Sequence, residues 1–368
     1  MKLIQAPRDA LLKPLHAVTG IVERRHTLPI LSNVLIERRP GNLNLTATDL
    51  EIQVITRSPC AVEGEDIAVT VSARKLQDIL RSLPESAEVS LELTDNRLHV
   101  KAERSRFNLQ TLPAQDFPRI AEGSTVGASF SVEQRALRHL LSLVQYAMAQ
   151  QDIRYYLNGL LLIIEDGTIT VVATDGHRLA LATLATGAST SREEVIVPRK
   201  AVVELIKLLS ESEEPVQIEV LGNQVRFSLG ATVLVSKVVD GKFPDYKRVI
   251  PSGYQKQFQM DRQVLLQALQ RAAILSNEKF RGVRWILSPD TLCIACTNTE
   301  QEEAQEELEI DYQGETLDIG FNVTYLTDVL SNLDAPTVAC ALGDANSSAV
   351  LTVPGSDGFL YVVMPMRI

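Results

Sequence analysis

The chain has 368 residues, 45% of them hydrophobic, and carries 36 Lys and Arg against 46 Asp and Glu for a formal net charge of −10. That is apolar sequence enough for several cores, yet no apolar run approaches the roughly 18 residues of a spanning helix, and the start, MKLIQAPRDALL, lacks the apolar centre of a signal peptide. Four cysteines make no disulfide framework; the expectation is a soluble, cytoplasmic chain with no membrane, metal or cofactor, whose acidity argues at first against nucleic acid.

The first predicted element is a helix at RDALLKPLHAV, where Pro14 should kink the helix or fall in its first turn. Alternating strands follow in GNLNLTATDLEIQVITR, then a second helix at SARKLQDILRSLP. There Leu76, Ile79, Leu80 and Leu83 form an apolar stripe, with Arg74, Lys75 and Arg81 opposite. FNLQTLPAQDFPRI closes this stretch, and the pattern then restarts. A helix with Leu137, Leu140, Leu141, Val144 and Met148 on one face opens with Ser131 and Gln134 at capping-box spacing. GTITVVATDGHRLALATL, the helix VPRKAVVELIKLLS with Arg199, Lys200 and Lys207, and LVSKVVDGKFPDYKRVI complete the second round. The third has a helix through Val264, Leu265, Ala268, Leu269 and Ala272, the acidic stretch TLCIACTNTEQEEAQEELE, a helix FNVTYLTDVLSNLD without Lys or Arg, and YVVMPMRI.

Three pairs mark the period: Thr48-Asp49, Thr174-Asp175 and Thr297-Asn298, with steps of 126 and then 123 positions between the second members. One unit of domain size has been used three times, giving repeats at 1–125, 126–253 and 254–368, each α+β, with two helices on antiparallel sheets. Asp175-Gly176 between alternating apolar runs reads as a two-residue hairpin turn; the other two pairs lack the glycine and are expected to turn differently. Asp175 with His177 also suggests a hydrolase pair. Glu51 and Glu300 occupy the matching positions to His177, however, and no nucleophile elbow, phosphate loop or dinucleotide fingerprint accompanies it. Cys293 and Cys296 sit in a strand, where a three-residue step spans about 10 Å and points to opposite faces, beyond the roughly 7 Å that a bridge tolerates. Cys60 and Cys340 stand alone.

Charge is uneven along the chain. The first repeat carries 16 basic and 16 acidic side chains, the second 13 and 14, and the third 7 and 16. The cations on the second helices of the first two repeats would suit a phosphate backbone read without sequence, or form an ordinary solvated face. The acidic stretch at 300–309 complements Arg104, Arg106 and nearby Lys75. Joined between two chains, they make a head-to-tail contact, which closes a ring when the rotation allows.

End to end, the chain resembles the bacterial DNA polymerase III beta subunit family of replicative sliding clamps, through RHTLPILSNVLIE, SRFNLQTLPAQDFP, QDIRYYLNGLL, VATDGHRLA, VDGKFPDYKRV, ILSNEKFRGVR, EQEEAQEE, GFNVTYLTDVL and YVVMPMRI. The resemblance implies a non-catalytic processivity subunit: a homodimeric ring of six domains, helices inside and sheets outside, around duplex DNA. It puts the dimer contact on Phe107 and Leu109 against Ile274 and Leu275, with Lys75, Arg104 and Arg106 facing Glu300, Glu302, Glu303 and Glu306; Gln305 stands where relatives often have an acid. It implies a peptide cleft at Leu157, Thr174, Gly176, His177, Arg178, Leu179, Pro244, Arg248, Val249, Asn322, Tyr325, Asn346, Ser348, Val362, Met364, Pro365, Met366 and Arg367, with Asn346 where a relative has valine. The implied cleft partners are the polymerase III alpha subunit, the clamp loader complex, and repair and translesion polymerases and other proteins with short clamp-binding motifs. Implied DNA contacts are Arg25, Gln151, Tyr155 and Tyr156, with Lys200 on the helix lining beside Arg74, Arg199 and Lys207. A monomeric peptide-binding scaffold is the competing reading, and the hydrolase a more distant one.

Overall fold

The computed structural model describes residues 1–23, 28–59, 65–121, 123, 126–187 and 192–367; Arg25 and Cys60 lie outside these. The first repeat runs β1 (Lys2–Pro7), α1 (Arg8–Thr19), β2 (Asn33–Arg39), β3 (Asn42–Thr48), β4 (Ile52–Pro59), β5 (Ile67–Ser72), α2 (Ala73–Ser82), β6 (Glu88–Thr94), β7 (Arg97–Ala102) and β8 (Ser105–Leu112). The second runs β9 (Ala128–Glu133), α3 (Gln134–Ser142), β10 (Gly159–Glu165), β11 (Thr168–Thr174), β12 (Arg178–Ala185), β13 (Glu193–Pro198), α4 (Arg199–Leu208), β14 (Pro215–Leu221), β15 (Gln224–Leu229) and β16 (Thr232–Lys237). The third runs β17 (Lys256–Asp261), α5 (Arg262–Ala273), β18 (Gly282–Ser288), β19 (Thr291–Thr297), β20 (Glu303–Glu309), β21 (Leu317–Asn322), α6 (Val323–Asn332), β22 (Thr337–Leu342), β23 (Ala349–Val353) and β24 (Ser356–Val363). The order of elements is the same three times.

By its contacts the chain forms two compact units, Met1–Leu137 with Val203–Val238 and Arg138–Val202 with Val239–Ile368. The first holds a twelve-stranded sheet ordered β1-β6-β7-β8-β5-β2-β3-β4-β16-β15-β14-β9. The second holds an eight-stranded sheet, β13-β10-β11-β12-β24-β23-β22-β17, and a four-stranded one, β20-β19-β18-β21. Each repeat therefore contributes two four-stranded halves, and successive repeats join edge to edge: β4 pairs with β16, and β12 with β24. Pairing is antiparallel throughout, so one face of each strand is free to carry the core.

The helices follow their apolar stripes. In α2, Leu76 and Leu80 are buried while Arg74 and Lys75 stay exposed. Leu137, Leu140, Leu141, Val144 and Met148 are all buried, although the last two lie beyond the end of α3. In α5 the stripe is shifted, with Val264 47% exposed and Leu266 buried. Asp261 caps that helix, accepting from Val264 N at 2.8 Å, because its backbone is still extended as the helix begins. The capping box expected at Ser131 and Gln134 does not form. Ser131 is inside β9, paired with Gln217, and its hydroxyl donates to Val216 O; Gln134 instead accepts from the backbone and hydroxyl of Ser210. Sheet pairing has claimed the residue that spacing assigned to the helix. Pro14 lies inside α1, past its first turn, which settles that alternative.

The Thr-Asp pairs correct the turn reading in two ways. Asp175 Oδ1 accepts from His177 N at 2.9 Å and Arg178 N at 3.1 Å, and Thr174 Oγ1 donates to Arg178 O at 2.6 Å while accepting from Gly176 N. Three residues, not two, separate β11 from β12 because the side chains, rather than a direct backbone pair, close the turn. The first repeat makes the same four bonds: Asp49 Oδ1 to Glu51 N and Ile52 N, Thr48 Oγ1 to Ile52 O and Leu50 N. Leu50, at φ +79, takes the place of Gly176 at φ +89, so loss of the glycine did not change the geometry. The third turn is longer: Asn298 Oδ1 reaches Glu300 N and Glu302 N, with Gln301 at positive φ.

A leucine in the left-handed region is strained. Leu50→Gly should therefore raise unfolding stability by about 0.5–1 kcal/mol, the relief outweighing the entropy that glycine adds to the unfolded chain. Urea denaturation checks it, and a lower midpoint would contradict the strain.

Candidate peptide cleft

A groove of about 370 Å³ opens in the second unit. Two of its lining residues, Leu179 and Val362, belong to a buried cluster with Leu161, Ile163, Val172, Ile196 and Phe243, in which β10 and β11 bury both faces. β12 and β24 supply Leu179 and Val362 as direct cross-strand partners, so both are core residues as well as lining. The β11–β12 turn gives Thr174, Gly176 and His177; the stretch after Phe243 gives Pro244, Asp245, Tyr246 and Val249; the end of the chain gives Met364, with Ser348 beside it. Val249 and Met364 are 55% and 48% exposed, apolar surface that faces solvent.

Arg178 fixes one wall. Its side chain is 10% exposed and pairs with Asp175 at 3.1 Å and Asp328, on α6, at 2.6 Å. It donates to Tyr146 O at 2.6 Å and lies over the rings of Tyr325 and Tyr146, 4.5 and 5.6 Å from their centroids. A buried cation persists only when so fully partnered. Tyr325 then stacks on His177, ring centroids 6.4 Å apart, which aims the imidazole along the wall. The Asp175 carboxylate is occupied by the turn backbone and Arg178, so it does not orient His177 as a catalytic base.

Arg154 holds the turn from the other side. It pairs with Asp152 at 2.8 Å, donates to Asp175 O at 3.1 Å, and fills the space beside Gly176, where an added Cβ would meet Nη1 at 2.9 Å. A side chain at this position would take up the same positive φ as Leu50 and would have to displace the Arg154 guanidinium. The chain end is held too: Met364 N donates to His177 O and Met366 N to Gly320 O, each at 2.9 Å.

Of the sequence-derived cleft residues, Leu157, Thr174, Gly176, His177, Arg178, Leu179, Pro244, Val249, Ser348, Val362 and Met364 line the groove. Tyr325 joins through its stacking. Asn322 caps α6 by accepting from Thr324 N, Arg248 reaches outward to Asp245, and Asn346 sits exposed in the turn that Asp344 organises. Pro365, Met366 and Arg367 follow Met364 outside the lining. Sequence reasoning missed Arg154, Asp245, Tyr246 and the support from Asp328. The first three lie within matched runs, but nothing in the sequence shows Arg154 reaching a carbonyl 21 residues away.

Three of the cations expected to meet DNA are tied to acceptors of their own chain. Arg74 donates to Val22 O at 2.8 Å, Arg199 to Gln145 O and Met148 O, and Lys207 pairs with Glu204 at 2.7 Å. Gln151 is exposed at φ +57, Tyr155 is 58% exposed, and Tyr156 packs against the cleft cluster. Lys200 is partly exposed. Among the expected dimer residues, Ile274 is 77% exposed and Leu275 half-buried; Lys75, Arg104, Arg106, Glu300, Glu302 and Glu303 are exposed; Phe107 and Leu109 are half-covered.

Profiles of the DNA polymerase III beta subunit match three successive stretches, its N-terminal domain at 1–121, central domain at 131–245 and C-terminal domain at 247–367. The chain belongs to the DNA polymerase III beta subunit family. Beta sliding clamps of Pseudomonas putida and Escherichia coli K12 are 49% and 45% identical to it, each over 98% of both chains. The crystal structure of a sliding clamp from Pseudomonas aeruginosa superposes with a TM-score of 0.95 at 48% identity over the whole of both chains, and another from that organism is bound to griselimycin. Beta subunits are non-catalytic processivity factors, in keeping with an Asp175 committed to its own turn. No helix among the described residues is long and apolar enough to cross a membrane.

The Arg154 hydrogen bond holds the Asp152 carboxyl down at about 2, from the usual 3.8. A depressed folded-state value means that the pairing stabilises above the ordinary carboxylate range and is lost only as pH falls through about 2. Side-chain carbonyl NMR of this beta subunit should show that midpoint; one near about 4 would mean that Arg154 is not held.

Proposed function

We propose that two copies of the chain close head to tail into a ring of six repeats that encircles duplex DNA, and that the cleft tethers the replicative polymerase's alpha subunit and other DNA-processing proteins to it. One observation carries this reading. At both junctions inside the chain, the fourth strand of one repeat's second sheet half pairs with the last strand of the next repeat, β4 with β16 and β12 with β24. The third repeat's β20 has only β19 beside it, and β8 meets β5 only at Thr111 and Leu112, leaving Ser105–Gln110 without a second neighbour among the described residues. β20 of one copy and β8 of another are the missing halves of the same joint.

The intrachain joints also specify the register. Gln53, Leu179 and Glu303 hold equivalent places, each paired across its turn with the Thr of the repeated pair. Gln53 faces Val235 and Leu179 faces Val362, and these correspond to Asn108, through their pairing with Arg226, Val350 and His99. Glu303 of one copy should thus face Asn108 of the other, with Ala304 against Phe107. Acids at 300, 302 and 303 then approach Lys75, Arg104 and Arg106. Exposed ion pairs contribute at most about 1 kcal/mol each, so burial of Phe107, Leu109, Ile274 and Leu275 carries the joint.

In the cleft, an extended peptide can bury an apolar anchor against Leu179, Val362, Val249 and Met364, methionine adapting to anchors of different shape. Such a site suits several partners in turn: the alpha subunit, the clamp loader, and repair and translesion polymerases carrying short motifs. The cations tied to protein acceptors attract phosphate weakly, which suits a ring that slides.

The register is tested by pairing Asn108→Cys with Glu303→Cys: oxidation should give a covalent dimer, whereas Asn108→Cys with Glu309→Cys should not; equal yields would refute the register. Encirclement is tested by loading the protein on nicked circular DNA with a compatible clamp loader and ATP, then cutting the circle. Loss on linearisation is expected, and equal retention on both forms would end the ring reading.

A further inference from the structure

Each repeat consists of two successive motifs of a strand, a helix and three strands. The strand that opens the second motif has its outer edge met by the end of the same repeat. Thr70 and Val71 of β5 pair with Leu112 and Thr111 of β8, Ile196 O of β13 accepts from Val239 N, and Gly320 O of β21 accepts from Met366 N. The strand that opens the third repeat is left without this cover. β17 has only β22 beside it, and among the described residues no backbone hydrogen bond joins its outer edge to the chain that leaves β20. In the first repeat the corresponding edge is touched by Arg38, which donates to Lys2 O of β1 at 2.6 Å and also to Glu65 O. Leu287, sixth in β18 as Arg38 is sixth in β2, has no such donors.

Two grooves lie along β17 instead. One, of about 530 Å³, passes over Gln257 and Gln259 onto Ala339, Ala341, Val350 and Thr352. The other, of about 710 Å³, runs over Met260, Val264 and Ile310 beside the β18–β19 turn. Gln259 and Asp311 line both, so the two are continuous.

We propose that this edge is a docking surface, distinct from the cleft, for an extended basic segment of a protein partner that adds a strand to β17. The free backbone of β17 offers the pairing, and the alternation of a strand lets one set of side chains reach apolar surface while the other stays polar. Val264, 47% exposed, supplies part of that apolar surface. Charge sets the kind of segment. Asp261, Asp290, Glu309 and Asp311 stand along the grooves, no Lys, Arg or His lines either one, and none of the four carboxylates is in an ion pair among the described residues. Lys256, the cation of β17, is taken by Glu315 at 3.5 Å. The partner is one held in the cleft as well, because Val350 of the first groove pairs in register with Val362 of the cleft. From β24 to β17 is three strand spacings, about 15 Å, which about five extended residues cross. That link rests on the cleft reading; the docking edge itself does not.

Methyl NMR of the full chain, labelled at Ala, Ile and Val, tests this by titration with a capped octapeptide of alternating Lys and Val. Saturable shifts are expected at Val264, Ile310, Ala339 and Ala341. Asp311→Lys should weaken binding about fivefold, whereas Glu85→Lys, an equal change of net charge in the first unit, should stay within about twofold of the parent. The same octapeptide N-methylated along its backbone keeps its charges but loses its donors, and should bind about fivefold more weakly or worse. Equal weakening by the two substitutions would mean attraction to net charge alone, and equal binding of the N-methylated peptide would mean that no strand is added; either overturns the inference. Shifts confined to Val249 and Val362 overturn it too, while leaving the cleft reading in place. The cleft is checked separately, by shifts of those two methyls when the polymerase's alpha subunit is added.

Discussion

An unpaired strand edge presents a row of backbone donors and acceptors that must be met by another strand, by water or by cover. The architecture of this chain is organised around that requirement. Each repeat closes its own two sheet halves near the end of its last strand, through β5 with β8, Val239 N with Ile196 O, and Met366 N with Gly320 O. Each leaves the outer edge of its second half to be met by the next repeat. Three repeats on one chain satisfy two such edges and leave one of each kind over.

The same junction that satisfies the backbone also creates the cleft. Pairing β12 with β24 brings the turn of the central repeat beside the end of the third, and Arg178 secures the contact through Asp328 and Tyr325. The desolvation of a buried guanidinium is offset by two carboxylates, a carbonyl and two aromatic faces. What results is a preformed apolar groove with a rigid wall and adaptable methionine at its mouth. In the first unit, where β4 pairs with β16, Ile52 stands in the place that Arg178 takes in the second.

Charge in this molecule tempers more than it attracts. Arg74, Arg199 and Lys207 are bound to acceptors of their own chain, and so is Glu306. Each keeps its charge but commits hydrogen bonds within the chain.

The repeat, the class of fold and most of the groove's lining were legible in the order of amino acids alone. Apolar periodicity and the Thr-Asp pairs are local signals, and residues such as Leu137, Leu140, Leu76 and Leu80 are buried where the pattern put them. Local rules failed where a distant strand or side chain competed. Ser131 went to the sheet instead of a cap, the turn at Asp175 closed through side chains, and Leu50 accepted a glycine's conformation because its neighbours' hydrogen bonds demanded it. Which cations are already engaged, that Arg154 and Asp328 brace the cleft, and that Arg271 holds Glu306 emerged with the folded chain. Apart from the Lys207–Glu204 pair within one helix, those are contacts between residues 21 to 150 positions apart, set by which strands lie side by side, and sheet order is a property of the folded chain that no short stretch of sequence encodes.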